Sequence, residues 1–291
     1  MLFTGSGVAI ITPFDKNNKI NYKKFNELLN FHIANNTDAI IVCGTTGESA
    51  TLDTNEKKEL IKFTVDKINH KIPVIAGTGT NNTKTSIEMS KYAQDVGCDG
   101  VLVVTPYYNK CNQEGLYNHY KQISDAINID IILYNVPTRT GVNIEIDTLK
   151  RLSMLKNITG IKEANSDISR IATIISDIPS LGVYSGNDDL TLPILALGGH
   201  GVISVAANII PNEMHKMCKS YFNEDINNAT LLYYTYLDLM KKLFIDVNPI
   251  CIKEAMNILN YNVGKTRLPL YEMDTTKYII LKDCLKKLNL I

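Results

Sequence analysis

The sequence predicts an α/β fold in which eight parallel strands alternate with helices, followed by a small C-terminal helical region. Eight short apolar runs, most of them rich in β-branched residues, lie between residues 8 and 205. The runs do not alternate with polar residues, which is typical of strands buried on both faces of a parallel sheet. Segments with helical periodicity separate them. Eight such units predict a (β/α)8 TIM barrel, with a doubly wound open sheet as the main alternative.

The predicted strands are short, and most are stopped by a glycine, a proline or a polar residue. They comprise residues 8–11, 39–43, 73–76, 101–104, 131–134, 158–162, 181–184 and 202–205. The sixth run ends in a lysine, and we expect Lys162 to be the last residue of that strand. The order of the strands in the sheet cannot be read from one sequence.

Capping residues and apolar periodicity indicate the helices. Asp53 is the expected N-cap of one helix, with Glu56 as its capping-box partner, and a second helix is expected over residues 83–96, before Gly97. After Pro211 the strand-like runs stop. The periodic segments that follow comprise residues 225–246, 249–259 and a last helix to 288. We therefore expect a barrel over residues 1–224 and a helical region over residues 225–291.

Composition and charge exclude several classes of protein. The 30 basic and 30 acidic side chains cancel, and no basic tract with interleaved aromatic residues is present, so no nucleic-acid partner is expected. No signal-peptide pattern and no apolar run of about 18–20 residues is seen, so we expect a cytoplasmic protein without a membrane partner. Six scattered cysteines indicate a reducing compartment, and five histidines show no metal-ligand spacing.

Lys162 is the residue whose position most needs an explanation. A lysine at the end of a buried apolar strand is costly if its ammonium is dry and unpaired. A structural ion pair, for example with Glu163, or a side chain that reaches solvent at the barrel rim would explain it without chemistry. The alternative is a neutral amine that attacks a ketone and forms a Schiff base.

The carboxyl ends of the other predicted strands favour the chemical explanation. In a barrel of this type these ends meet at one rim, where the chemistry is located. Thr45 and Thr46 follow a glycine turn suited to a carboxylate, and Tyr134 can relay protons beside a Schiff-base lysine. Arg139 offers a bidentate fork for a second carboxylate. The other rim residues include Tyr107, Tyr108, Gly186 and Ile203.

The motifs at these strand ends resemble those of the dihydrodipicolinate synthase family of pyruvate-dependent class I aldolases. The matching segments are GTTGES at 44–49, PYY at 106–108, YNVPTRTG at 134–141, GIKE at 160–163, GGHGVIS at 198–204 and NPI at 248–250. The resemblance runs from the first strand into the C-terminal helices. Arg139 narrows it to the synthase branch of the family.

The resemblance implies a reaction between pyruvate and L-aspartate-4-semialdehyde. Lys162 would form a Schiff base with pyruvate, and Tyr134, Thr45 and Tyr108 would form a proton relay, with Tyr108 supplied by a neighbouring subunit. Thr46 would bind the pyruvate carboxylate, Arg139 the semialdehyde carboxylate, and Gly186 and Ile203 would line the pocket. The product would be 4-hydroxy-tetrahydrodipicolinate, in lysine and diaminopimelate biosynthesis. No metal or dissociable cofactor would be needed, and the expected assembly is a homotetramer built as a dimer of dimers.

Two other functions remain open at this point. N-acetylneuraminate lyases and 2-keto-3-deoxy sugar-acid aldolases share the lysine and the tyrosine but usually lack an arginine at the position of Arg139. A non-catalytic ligand-binding barrel is the second possibility, and the intact set of Lys162, Tyr134, Thr45 and Tyr108 is evidence against it.

The resemblance also bears on regulation by L-lysine. Lysine-sensitive members of the family place two histidines where this chain has Thr54 and Lys57, and a glutamate where it has Thr85. These changes remove a negative charge and add a positive one beside a cationic ligand. We therefore expect an enzyme that is insensitive or only weakly sensitive to L-lysine.

Overall fold

The predicted barrel is present and closed. The computed structural model describes residues 2–291. Its eight parallel strands are hydrogen-bonded in chain order, and β8 pairs with β1 to close the ring. The strands are β1 (Gly5–Ala9), β2 (Ala39–Val42), β3 (Val74–Gly77), β4 (Gly100–Val104), β5 (Asp130–Asn135), β6 (Ile158–Glu163), β7 (Gly182–Ser185) and β8 (Gly201–Ser204). This order excludes the doubly wound open sheet.

Helices surround the barrel and continue after it. The helices between the strands and directly after β8 are α1 (Tyr22–Ala34), α2 (Thr54–Ile68), α3 (Thr83–Asp95), α4 (Gln113–Ala126), α5 (Pro137–Thr140), α6 (Ile146–Ser153), α7 (Ile168–Asp177), α8 (Thr191–Ala196) and α9 (Pro211–Phe222). The C-terminal helices are α10 (Ile226–Lys242), α11 (Ile250–Ile258) and α12 (Thr275–Lys287). The helical character predicted after Pro211 is therefore confirmed. The boundary between residues 224 and 225 stays a prediction.

Predicted strand ends agree with the structure to within one residue, except at the first strand. The capping box of Asp53 and Glu56 is formed, and α3 ends just before Gly97, whose φ is +93°. The prediction for the first strand was wrong by three residues. Its backbone pairs from Gly5 onward, and after Ala9 the chain leaves the ladder, so that the Ile11 N–H donates to the Asn208 side chain. Backbone pairing does not require apolar side chains, which is why the pattern missed this start.

The sixth strand also extends beyond its predicted end. Lys162 is not its last residue, because Glu163 pairs with Asn135 of β5 and Ser185 of β7. Side chains alternate between the two faces of a strand, so Lys162 and Glu163 point to opposite sides of the barrel wall. The alternation directs Lys162 to the interior, beside Tyr134, and Glu163 to the outside, beside Asn135 and Arg170.

Two apolar layers hold the barrel together. An outer layer packs the strands against the helices, and an inner cluster fills the barrel axis. Phe3 and Tyr184 stack in the inner cluster with ring centroids 4.5 Å apart, and the Tyr184 hydroxyl donates to the Phe3 carbonyl at 2.6 Å. Tyr134 and Ile203 belong to the same cluster. The interior is thus packed, and residues at the carboxyl ends of the strands lie above it. Within residues 2–291, no helix is long and apolar enough to cross a membrane.

Candidate active site

Lys162 and Tyr134 lie side by side at the carboxyl end of the barrel. The two residues are register partners on β6 and β5, and Lys162 Nζ is 4.4 Å from the centre of the Tyr134 ring. Both are buried, with 5% of Lys162 and 7% of Tyr134 exposed. The ladder bonds on both sides of Lys162, to β5 and to β7, fix the position of its backbone. A buried amine therefore faces the interior beside a phenol.

The ion pair suggested between Lys162 and Glu163 is wrong, because Glu163 points outward. Its carboxylate accepts hydrogen bonds from Asn135 Nδ2 at 2.9 and 3.0 Å and from the Asn165 N–H at 2.9 Å. Arg170 pairs with it at 3.3 Å. Burial raises the pKa of Glu163, and these three partners oppose that shift. The suggestion that Lys162 reaches solvent at the rim is also excluded by its burial.

Asp188 is a buried acid that the sequence analysis did not single out. Its Oδ2 accepts the backbone N–H groups of Val205 and Ala206, each at 3.0 Å. Burial raises the pKa of Asp188, while hydrogen bonding and the charge of Lys162 act in the opposite direction. The acid lies three residues after the end of β7, and this position was the only signal in the sequence. It places a second titratable group within the electrostatic range of Lys162.

The turn after β2 places Thr45 and Thr46 at the same end of the barrel. The Glu48 N–H donates to the Thr45 carbonyl at 3.0 Å, which closes the turn. Thr46 is buried and its Oγ1 accepts a hydrogen bond from Asn248 Nδ2 at 2.9 Å, whereas Thr45 is half-buried. Asn248 belongs to the NPI motif, but its contact with Thr46 could not be inferred from that motif.

Arg139 lies at the mouth of the barrel rather than in its interior. It is exposed on the short helix α5 and lines an open groove. Asp246, Asn248 and Lys277 line the same groove, and Lys277 pairs with Asp246 at 2.8 Å. The groove thus contains a guanidinium that is exposed to solvent.

Tyr108 is not brought to Lys162 within one chain. It is 88% exposed, and its φ of +74° is unusual for a residue with a bulky side chain. Tyr107 beside it is also exposed. The side chains of the two tyrosines after β4 are therefore exposed rather than packed against their own chain.

Gly186 follows β7 directly and Ile203 lies on β8, the neighbouring strand. The Gly186 N–H donates to the Glu163 carbonyl at 2.8 Å, and a Cβ on Gly186 would lie 2.6 Å from the Cβ of Ala164. Only glycine permits this close approach of β6 and β7. Ile203 is buried in the inner cluster on β8.

Cys43 and His200 both have structural surroundings. Burial raises the pKa of Cys43 to about 12, so its thiol is not activated as a nucleophile. Burial lowers the pKa of His200, whose Nδ1 accepts the Val183 N–H at 3.2 Å. Among residues 2–291, no three His, Cys, Asp or Glu side chains are grouped so that they could bind a metal ion.

A closed (β/α)8 barrel with a buried lysine and tyrosine on adjacent strands has the architecture of the class I aldolases. The chain belongs to the dihydrodipicolinate synthetase family, whose model matches residues 2–288. This confirms the resemblance inferred from the motifs.

Relatives match over the full length. The chain is 55% identical over 291 residues to 4-hydroxy-tetrahydrodipicolinate synthase 1 of Clostridium acetobutylicum, covering 100% of this chain and 99% of the relative. The dihydrodipicolinate synthase structure from Aquifex aeolicus superposes with a TM-score of 0.97 at 44% identity, covering 99% of both chains. The chloride-inhibited enzyme of Acinetobacter baumannii, complexed with pyruvate, gives 0.97 at 41% identity, again covering 99% of both chains.

Proposed function

We propose that this chain condenses pyruvate with L-aspartate-4-semialdehyde to 4-hydroxy-tetrahydrodipicolinate, in lysine and diaminopimelate biosynthesis. The observation that carries the proposal is the buried Lys162 amine beside the Tyr134 ring. Sequence identity of 53% and 55% to 4-hydroxy-tetrahydrodipicolinate synthases, over 291 residues, supports the choice of reaction. The pyruvate complex of the Acinetobacter baumannii relative supports the choice of first substrate.

In the proposed reaction Lys162 Nζ attacks C2 of pyruvate, and loss of water gives the Schiff base. Loss of a methyl proton converts this imine to an enamine, whose C3 attacks the aldehyde carbon of the semialdehyde. The aldehyde oxygen takes up a proton and becomes the 4-hydroxyl group. The amine of the semialdehyde then adds to C2 and displaces Lys162, which closes the ring and restores the free lysine. The covalent imine is the electron sink, so the scheme uses no metal or dissociable cofactor.

Three hydroxyl groups are proposed to move the protons in these steps. The Tyr134 ring is 4.4 Å from Lys162 Nζ, and Thr45 lies on the turn after β2. Tyr108, exposed in its own chain, completes the relay of a neighbouring subunit. This assignment requires at least a dimer, and the homotetramer expected for the family contains two such dimers.

Binding of the two substrates is assigned to separate parts of the rim. Thr46 binds the pyruvate carboxylate, and Gly186 and Ile203 line the pocket in which the new ring forms. Arg139 binds the carboxylate of the semialdehyde through the groove. This guanidinium favours the synthase over an N-acetylneuraminate lyase or a 2-keto-3-deoxy sugar-acid aldolase, whose second substrate presents hydroxyl groups instead. The substrates are small cytoplasmic metabolites, and we place the enzyme in the cytoplasm.

Borohydride trapping tests the nucleophile directly. Incubation with pyruvate and borohydride should add one reduced three-carbon unit to the peptide that contains Lys162. Lys162→Ala should abolish this adduct and the synthase activity. Lys62→Met, which removes an exposed lysine of α2, is the control for the site of modification and should leave the adduct on Lys162. An adduct on a different lysine, or no adduct, would refute the proposal.

A further inference from the structure

The turn that carries the two threonines is tied to the C-terminal region by a buried ion pair. Lys253 of α11 donates to Glu48 Oε1 at 2.9 Å, and both side chains are almost fully buried. Lys253 Nζ also donates to the carbonyls of Thr12 at 3.1 Å and Lys265 at 2.7 Å. An ammonium has three N–H donors, so every one of them is used. Lys253 is therefore fully engaged in holding this turn.

A second set of contacts holds the far end of the same turn. Glu48 Oε2 accepts the Arg267 N–H at 2.9 Å. The Arg267 guanidinium donates to the Thr51 carbonyl at 3.0 Å and grips both carboxylate oxygens of Glu56 at 2.7 and 2.6 Å. We call Glu48, Lys253 and Arg267 the Glu48 network. It connects residues 253–267 to the end of the threonine turn at Glu48 and to Thr51 and Glu56 beyond it.

The third contact reaches Thr46 itself. Asn248 Nδ2 donates to Thr46 Oγ1 at 2.9 Å, so the threonine oxygen acts as the acceptor. Its own hydroxyl proton is then left for another acceptor. A hydroxyl has one proton to donate, and an anionic carboxylate is the strongest acceptor that the proposed substrate offers.

The turn needs such external support because its backbone is not relaxed. Cys43 and Glu48, which flank the threonines, both have a φ of +57°. Residues with a Cβ disfavour this region, and they persist in it only where the surroundings determine the conformation. Here the determining contacts come from the C-terminal region and from Thr12, whose Oγ1 donates to the Gly47 carbonyl at 2.6 Å.

We propose that Glu48, Lys253 and Asn248 are positioning residues for pyruvate. Glu48 and Lys253 set the backbone that carries Thr45 and Thr46, and Asn248 directs the Thr46 hydroxyl proton toward the substrate carboxylate. The inference rests on the proposed function. It assigns the C-terminal helices a role in binding the first substrate, whereas Arg139 acts on the second.

Steady-state kinetics of three variants test this assignment. Lys253→Met removes the donor of three hydrogen bonds, and Asn248→Asp offers Thr46 an acceptor that consumes its proton. Each should raise the KM for pyruvate at least ten-fold and change the KM for the semialdehyde less than two-fold. The double variant Glu48→Gln with Lys253→Met removes the unpaired buried carboxylate. It should melt at a higher temperature than Lys253→Met alone and keep the raised KM for pyruvate.

Asp38→Asn is the matched control at the opposite end of the barrel. Asp38 Oδ2 accepts the Ser6 N–H at 2.7 Å and pairs with His215 at 3.0 Å, far from the carboxyl ends of the strands. This carboxylate-to-amide change should lower the melting temperature and leave both KM values unchanged. A role in stability alone would reduce the folded fraction and the apparent kcat of the Glu48 and Lys253 variants, without changing either KM.

The outcomes separate the two proposals. If wild-type protein forms no borohydride adduct with pyruvate, the proposed function fails and this inference fails with it. If the adduct forms but folded variants keep the KM for pyruvate within two-fold of wild type, only the positioning role is overturned. Equal rises in both KM values would overturn it too. Should Lys253→Met not fold, Glu48→Gln and Asn248→Asp decide by the same criterion.

Discussion

The two halves of the proposed pyruvate site are supported in different ways. Lys162 and Tyr134 stand on paired strands, and behind them Glu163 binds Asn135 and Arg170. We call these three residues the Glu163 network. All of its members lie between residues 135 and 170, close to Lys162 in the sequence. The proposed nucleophile is thus supported by residues close to it in the sequence.

The threonine turn is held by residues from the far end of the chain. Its buried glutamate, Glu48, pairs with Lys253, and Thr46 accepts its hydrogen bond from Asn248. The turn itself has no ladder bonds and contains two residues with left-handed backbone. A strand needs only local partners because its neighbours fix it on both sides, whereas an irregular turn depends on distant ones. We therefore expect variants of the two networks to show different defects.

The largest effect is expected from breaking the Glu163 network. Arg170→Met would leave the fully buried Glu163 carboxylate without its cation. Removing one member of a buried pair costs about 3–5 kcal/mol, so the melting temperature should fall by roughly 6–20 °C. Thermal unfolding followed by circular dichroism measures this. Lys62→Met, in the exposed pair Lys62–Asp66, is the control and should change stability by less than about 1 kcal/mol.

The kinetic consequence should differ from that of the Glu48 network. Arg170→Met acts behind Lys162, so the rate of Schiff-base formation at saturating pyruvate should fall more than the affinity for pyruvate. A variant with a raised KM for pyruvate and an unchanged trapping rate would show that the two supports are not distinct.

The part of the site on the strands was predictable from the sequence, and its support on the turn was not. Short apolar runs located the eight strands, and strand ends located Lys162 and Tyr134, because side-chain burial follows the sheet directly. Nothing local in the sequence relates Glu48 to Lys253, which are 205 residues apart. The backbone pairing of Gly5 and the outward direction of Glu163 were missed because both depend on register, which apolar patterns do not specify.

The Arg139→Ala variant tests whether binding of the second substrate is independent of the Glu163 and Glu48 networks. Arg139→Ala removes at least one charge-assisted hydrogen bond, worth about 1.5–3 kcal/mol, so the KM for the semialdehyde should rise about 10- to 150-fold or more. Borohydride trapping of pyruvate should be unchanged. Lys277→Met is the control, since Lys277 lines the same groove but is already paired with Asp246. A loss of pyruvate trapping in Arg139→Ala would contradict the separation of the two substrates.

Tyr108 is proposed to act in the site of a neighbouring subunit, so neither network within a single chain can replace it. Mixing inactive Lys162→Ala and Tyr108→Phe chains after dissociation and reassembly should produce hybrid dimers with one complete site. Random pairing makes about half of the dimers hybrid, so activity should recover to about a quarter of wild type.

The control for this mixing experiment combines two substitutions at residues that each act in the site of their own chain. Lys162→Ala mixed with Tyr134→Phe gives hybrids in which each site still lacks one group, so no activity should return. Sedimentation velocity gives the assembly state of each mixture. A fully active wild-type monomer would refute the shared site.

The smallest effect is expected from L-lysine, whose cleft in sensitive relatives would lie beside the end of the turn that the Glu48 network supports. Thr54 begins α2, two residues before the Glu56 that Arg267 grips, and Lys57 is half-buried in the same helix. Thr85 has no charge to offer a ligand ammonium. Loss of one negative charge and gain of one positive charge, each worth on the order of 1 kcal/mol, weakens binding about 30-fold.

Synthase rates should therefore change less than two-fold up to millimolar L-lysine. The resemblance implies that Asn81 and Tyr107 are retained from the lysine site of sensitive members, and Asn81 Nδ2 donates to the Tyr107 carbonyl at 3.3 Å. The triple variant Thr54→His, Lys57→His and Thr85→Glu should then gain inhibition, because it restores the acceptor charge and removes the repelling one. If inhibition acts through the threonine turn, it should raise the KM for pyruvate and leave that for the semialdehyde unchanged. Strong inhibition of the wild-type enzyme at sub-millimolar L-lysine would show that the retained residues suffice without these charges.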